Sequence, residues 1–498
     1  MLKNFVGQLH YYYRHLLCHT LQLQQVYGAN NELQTRPVLS PARVNVYSDT
    51  RRVTAFLLLF AGCIIQFSCA AGNTPKNNHA IADNKVTAVA DSMPQQNNYT
   101  GSDRIIPAAE RLSVYLPLLK GKRVGIFANQ TTTCGNTHLV DTLQKLGVII
   151  KVIFGPEHGF RGTADAGEKI GNYTDTKTGI PVVSLYGAKR RPSADDVKDV
   201  DILLFDIQDV GARFYTYISS LEEFMEAAFE LKKPLLLLDR PNPNGHYVDG
   251  PVLDRKYTSF VGRQPIPVVY GMTMGEYALM IGGEKWLSDK GNKTYDYYQS
   301  VTTHHPDTAF HFLIIKNENY THKSKYILPV KPSPNLPNIQ SIYVYPSTCF
   351  FEGTVLSEGR GTDKPFQVFG HPSLPKNLYA FTPNPNEGAK SSKLYGQKCY
   401  GWDVSGTVDE VVKEVDDKIQ LKWLINAYKL FPEKDKFFIL PKSGSMEQSF
   451  FNKLAGNNEL WQQIKAGKSE AEIRASWQAD LDKFKQIRKK YLLYPDFE

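Results

Sequence analysis

The chain has 498 residues, 42% of them apolar and 22% charged, a balance that suits two or three globular domains and excludes a mostly disordered chain. Its formal charge of +8 is uneven: residues 1–69 hold six Lys/Arg against two Asp/Glu, so half the excess lies there, and the remainder is too mild for a nucleic-acid partner. Six cysteines are too few for a disulfide scaffold.

Residues 1–50, rich in Tyr, His and Gln and without periodicity, read as a leader from a start site chosen too early and are set aside from the fold. Arg51-Arg52 then precede an apolar run from Val53 to Ile65, too short to span a bilayer and matching an export signal over 51–72. A cysteine after small residues at its end, Cys63 or Cys69, resembles a bacterial lipoprotein cleavage site; a plain cleaved signal is the alternative. The expectation is an exported chain, in the periplasm or anchored by lipid to a membrane. Residues 73–103, rich in Asn, Gln, Ala, Ser and Thr, read as a flexible tether.

From about Gly121 short apolar runs alternate with amphipathic segments. Strands are predicted over 123–128, 148–154, 181–185, 201–206 and 234–239, with helices over 138–146 and 216–231. Continuous apolar strands alternating with helices predict an α/β fold: a Rossmann-like, doubly wound parallel sheet over 104–261. The alternation weakens afterwards. Residues 262–498 read as a smaller α+β domain that closes the cleft, with a short strand at 341–345 and a helix over about 469–491.

Ligands bind outside the carboxyl ends of strands in such sheets, and polar clusters follow nearly every predicted strand. Asn129-Gln130-Thr131 follows the first. Glu157, His158 and Arg161 follow the second, within Gly155-Pro-Glu-His-Gly-Phe-Arg-Gly162. Tyr186-Gly187 follows the third, and Asp206, Gln208, Asp209, Arg213, Tyr215 and Tyr217 the fourth. Asp239-Arg240-Pro-Asn242 closes the fifth. The second domain adds Asn335 in the Pro-stiffened turn Lys331–Pro337, and Glu352, Glu358 and Arg360 in a Gly-rich loop. Taken singly, Asp206 and Asp239 also suit helix or turn caps, and Glu276 suits a first-turn helix acid after Thr273. Five converging loops point instead to a polar-ligand site, with sugars the natural guess. No Gly-x-Gly-x-x-Gly follows the first strand and no phosphate-cradling Gly-x4-Gly-Lys motif occurs, so no nucleotide cofactor is expected. A Gly-x-Ser-x-Gly elbow is missing too, and the adjacent His304-His305 make a weak zinc pattern, so no metal is expected.

These motifs, with Phe205–Tyr217, Asp239–Pro243, Pro332–Pro337 and Phe351–Thr362, resemble the exo-acting β-N-acetylmuramidases of the NamZ family from about Arg111 to Glu498. Asn244-Gly-His-Tyr247 departs from the family's Gly-Gly pair. The resemblance implies a Rossmann-like domain plus a smaller one, and release of N-acetylmuramic acid from the non-reducing ends of peptidoglycan-derived MurNAc-GlcNAc fragments. Glycosidic hydrolysis needs a protonated acid at the leaving oxygen and a second group for water or the anomeric carbon. Glu157 is the first choice for the acid, with His158 orienting it or bonding a sugar hydroxyl. Asp206 and Asp209, then Glu352 and Glu358, are the candidates for the second carboxylate. Arg213, ahead of Arg240 and Arg360, is expected to bind the lactyl carboxylate, because a guanidinium fork takes a carboxylate bidentately. Asn129, Arg161, Gln208, Tyr215, Tyr217, Asn242 and Asn335 complete the expected substrate contacts. Retaining, inverting and substrate-assisted courses stay open, as does the oligomeric state. Two rival readings remain: a metal-dependent hydrolase with Glu157, His158, Asp206 and Asp209 as ligands, and a non-catalytic sugar-binding lipoprotein.

Overall fold

Runs of consecutive apolar residues need cover on both faces, and the central strands find it. In the computed structural model, which describes residues 104–162, 171–304 and 311–498, seven strands form one sheet. They are β1 (Arg123–Ala128), β2 (Ile149–Gly155), β3 (Tyr173–Thr174), β4 (Pro181–Ser184), β5 (Ile202–Asp206), β6 (Leu235–Leu238) and β7 (Phe312–Ile315). Their order is β3-β4-β2-β1-β5-β6-β7, parallel throughout except for the short edge strand β3, which runs antiparallel to β4.

Side chains alternate across the pleat, so each strand feeds two cores. Val124 and Ile126 of β1, Ile202 and Leu204 of β5, and Leu236 and Leu238 of β6 pack with helices α1 (Leu112–Leu119) and α2 (Leu139–Lys145). Phe127, Leu203, Phe205, Leu235 and Leu237 face the other way, onto α3 (Tyr217–Glu230), α4 (Met274–Gly283) and α5 (Asp289–His304). The strand order places β2 and β5 on opposite sides of β1, so the loops leaving their carboxyl ends diverge and open a crevice. The α/β, doubly wound reading matches this architecture.

Two expectations need correction. The sheet takes its last strand, β7, from residues 312–315, hydrogen-bonded to β6, so the first unit runs well past the expected boundary at 262. Residues 341–345 belong to helix α6 (Ile339–Thr348) and are not a strand. Ile342, Tyr343, Val344 and Tyr345 are all buried, so the segment shows no helical periodicity, and its β-branched and aromatic residues mimic a strand. What fixes the helix is its start: Asn338 and Ser341 form a reciprocal capping box.

Beyond α6 a three-stranded antiparallel sheet, β8 (Val368–His371), β9 (Tyr379–Phe381) and β10 (Cys399–Asp403), has β10 at its centre. The chain closes with the helix Glu470–Lys489, which buries Ile473, Trp477, Leu481 and Phe484. The apolar cluster under α3 continues without a break into Phe350, Phe369, Trp423, Phe451 and Trp477, so the two regions share one core. The leader, export signal and tether expected over 1–103, with Cys63 and Cys69, lie outside the described residues, as does His305.

Candidate active site

After β2 the chain reverses sharply. The Gly159 N–H donates to the Pro156 carbonyl at 3.0 Å, and His158 sits at φ 68° with Gly159 at 75°. A positive φ at a non-glycine residue stores strain of about 1–3 kcal/mol and persists only where the surroundings hold it. The turn carries Glu157 to the wall of a cleft of ≈ 390 Å³. Tyr186, just past β4, donates its hydroxyl to Glu157 Oε1 at 3.0 Å, and Thr216, just before α3, donates to Oε2 at 3.3 Å. Burial, then the neighbouring Glu157, pushes the Tyr186 phenol above its ordinary range, so it stays a donor. His158 is buried behind the acid, with the Ser333 hydroxyl 3.3 Å from its Nε2.

Tyr215 and Tyr217 also line the cleft, ring edge to ring face at 4.7 Å. Both hydroxyls donate to the Pro332 carbonyl, at 2.9 and 3.1 Å, and the Gln130 amide reaches the same oxygen at 3.0 Å. These bonds clamp the 331–337 turn onto the strand ends and hold Asn335 in the wall, its amide donating to the Gly388 carbonyl. Glu352 and Arg360 also stand in the lining, paired at 2.7 Å, with the Arg360 guanidinium 4.9 Å from the Phe366 ring centre. Phe214, Phe260, Tyr345 and Phe450 supply apolar surface suited to a sugar-ring face.

The other expected site residues do not line the cleft. They brace it. Asp206 and Arg240 form a bidentate pair (2.5 and 2.7 Å), both side chains buried beneath the sheet edge. Asp209 is buried too, accepting from the Tyr270 hydroxyl at 2.5 Å and the Gly211 N–H at 2.7 Å, and burial pushes its carboxyl up to about 7. Gln208 donates to the carbonyls of Asp209 and Pro241. Asn242 donates to the Met272 carbonyl and packs over Gly211, whose φ of 78° and crowding against that amide exclude a β-carbon. Arg161 is held by Asp175 at 2.8 and 3.0 Å rather than by Glu157. Asn129 donates to the Tyr217 hydroxyl. Glu358 is buried, but Lys393 at 2.8 Å and Arg360 at 3.3 Å outweigh that burial and hold its carboxyl low.

Arg213 departs furthest from expectation. It is fully buried with no carboxylate at hand among the described residues, donating instead to the carbonyls of Pro251, Ile266 and Leu454. Burial lowers it to about 9. It therefore does not meet a substrate carboxylate. A bare charge inside a protein must be paired or hydrogen-bonded, and that requirement explains why so many polar residues at the strand ends are turned inward. Glu276 follows the same rule, closing the capping box of α4 with Thr273 and lying 3.0 Å from His322.

Tyr186, Arg190, Phe260, Tyr345 and Phe450 belong to the lining and were not singled out as site residues from the sequence. Tyr186 carried a signal, since it follows a predicted strand at the binding edge. Phe260 comes from a distant turn and Phe450 from the start of the short helix Phe450–Ala455, with no motif around either. Among the described residues no three His, Cys, Asp or Glu side chains gather as a metal site, and the four proposed ligands are split between cleft and interior.

The descriptions "Exo-beta-N-acetylmuramidase NamZ, N-terminal" and "C-terminal" match residues 124–340 and 343–494. The chain belongs to the NamZ family. A NamZ relative, the peptidoglycan β-N-acetylmuramidase NamZ of Bacillus subtilis (strain 168), is 38% identical over an alignment of 415 residues that covers 79% of this chain and 91% of its own length. Two solved DUF1343 family proteins of Bacteroides fragilis NCTC 9343 are similar in structure. One is 44% identical with a TM-score of 0.67, covering 79% of this chain and 99% of its own. The other is 28% identical with a TM-score of 0.59, covering 79% and 100%. The two NamZ halves meet just past 340, beyond β7 rather than at 262. NamZ membership makes the chain a glycoside hydrolase, and neither rival reading is favoured beside it.

Proposed function

We propose that the chain is an exo-acting glycoside hydrolase that releases N-acetylmuramic acid from the non-reducing ends of peptidoglycan fragments. The observation that carries this reading is Glu157, borne by a strained strand-end turn into an aromatic-lined cleft, with a hydroxyl donor at each carboxyl oxygen. When a sugar enters, the protonated Glu157 gives its proton to the leaving glycosidic oxygen, a contribution of roughly 10²–10⁴ in rate for a positioned acid. Tyr186 and Thr216 hold the carboxyl in place for that transfer. Glu352, tied to Arg360, is the carboxylate available in the lining to oppose the positive charge that develops at the anomeric carbon. Asp206 and Asp209 keep structural roles in this scheme. Export and lipid attachment at Cys63 or Cys69 belong to the same proposal, supported by the basic pair and apolar run that precede them.

The test is release of chromophore from a chromogenic β-N-acetylmuramide beside its N-acetylglucosaminide twin, with and without chelator. Cleavage of the muramide in preference, unaffected by chelator, is the expected result. Binding of either sugar without any cleavage overturns the reading in favour of a sugar-binding protein.

A further inference from the structure

Muramic acid differs from glucosamine by a lactyl ether whose carboxylate is negative at neutral pH. A site that prefers it therefore needs a cation whose donors are still available. Of the arginines considered from the sequence, Arg213 and Arg240 are buried and committed inside the protein, and Arg360 already serves Glu352 and Glu358. The cleft wall holds one more.

Residues 189–191 form the run Lys189-Arg190-Arg191, separated by two residues from the Tyr186 that holds Glu157. Its two outer members are spent on the protein: Lys189 pairs with Asp196, and Arg191 with Glu223 and Glu230. Arg190 lies in the cleft lining, exposed, and no carboxylate pairs with it among the described residues. Its Nε donates to the Gly187 carbonyl at 3.3 Å, and its guanidinium carbon stands 4.2 Å from the Phe260 ring centre. One edge of the fork is thus anchored and its face is stacked, while the two terminal nitrogens keep their donors for an incoming acid. Stacking and a fixed Nε reduce the rotamer freedom lost on binding, which is what makes a guanidinium an effective bidentate partner.

We propose that Arg190, held by Gly187 and Phe260, is the specificity-determining residue that binds the lactyl carboxylate of muramic acid. This rests on the muramidase reading above and deepens it. With the sugar ring in the aromatic-lined cleft and its glycosidic oxygen at Glu157, the shared loop 186–190 couples recognition of the acid to the position of the general acid.

The test uses the full chain and measures calorimetric binding of N-acetylmuramic acid and of N-acetylglucosamine to wild type, Arg190→Gln and Arg190→Lys, alongside hydrolysis of the chromogenic muramide. The expected result is a loss of roughly 10- to 100-fold in affinity for N-acetylmuramic acid with Arg190→Gln, the scale of a charge-assisted hydrogen-bond pair. Affinity for N-acetylglucosamine should hold, and Arg190→Lys should restore part of the loss. Raised salt should weaken only the muramic acid complex of the wild type. If Arg190→Gln keeps the wild-type ratio of the two affinities, or loses both sugars equally, the assignment to Arg190 is overturned while wild-type muramide hydrolysis leaves the glycosidase standing. If the wild type itself hydrolyses no muramide, the parent reading falls, and the assignment with it.

Discussion

Two strand-end loops, both dense in polar residues, do opposite work. The 155–162 loop after β2 turns through two consecutive residues at positive φ and presents Glu157 to the cleft. The 206–213 loop after β5 holds two aspartates, a glutamine and an arginine, and buries all four. The difference lies in what surrounds each charge. Glu157 meets two hydroxyls and solvent-accessible space, whereas Asp206 meets a guanidinium and Arg213 meets three carbonyls. Polar density at a sheet edge therefore marks a site together with the frame that holds it, and only the partners tell the two apart.

The contrast can be broken by substitution. Arg240→Ala leaves the Asp206 charge buried without its partner and should cost about 3–5 kcal/mol of stability, read by urea unfolding. A small cost would mean that Asp206 finds solvent and belongs with the cleft. Glu157→Gln should leave the unfolding midpoint in place and lower kcat by roughly 10²–10⁴ on the chromogenic muramide. Turnover near wild type would remove Glu157 from the acid's role.

Asp209 sharpens the comparison through pH. Unfolded, its carboxyl releases its proton at about 4, while the folded chain retains it to about 7. The folded state thus binds more protons across that window, and its stability falls as the pH rises through it, by up to about 1.4 kcal/mol per unit. Asp239, raised by burial to about 6, adds to the same fall. Asp209→Asn should flatten the decline in urea midpoint between pH 5 and 7.5, measured as a difference from wild type. An unchanged slope would show that the carboxyl ionises freely. The smallest effect belongs to Tyr186→Phe, which removes one hydrogen bond from Glu157 and should lower kcat by roughly two- to tenfold, the scale of one neutral hydrogen bond. The pH–rate profile should change with it while KM stays near its wild-type value; a loss confined to KM would make Tyr186 a substrate contact.

The sequence made the sheet legible because apolar runs such as Ile202–Phe205 and Leu235–Leu238 are short, bounded by turn residues and alternate with longer amphipathic segments, which favours buried strands. It also located the edge of the sheet where the cleft opens, with Glu157 in its wall. It misassigned α6 because burial on all sides removes the period by which a helix is recognised, and it ended the first unit early because β7 arrives only after two intervening helices, far along the chain from β6. Among the site residues, the order of preference for the arginines failed for a physical reason: nothing in a linear motif distinguishes a guanidinium that will find carbonyls from one that will find water. Arg190 escaped notice inside a run of three cations that looks like ordinary solvated charge.

Arg213 carries a consequence for how the two halves of this chain can be exchanged. Its three carbonyl partners come from residues 251 and 266 on one side of the boundary near 340, and from residue 454 on the other. The two halves are therefore not interchangeable parts. If a transplanted C-terminal half shifts the backbone at residue 454, a cation with no counter-ion among the described residues loses one of its three carbonyl acceptors. Exchanging one half alone is therefore expected to cost this chain stability, through a single side chain outside the cleft lining.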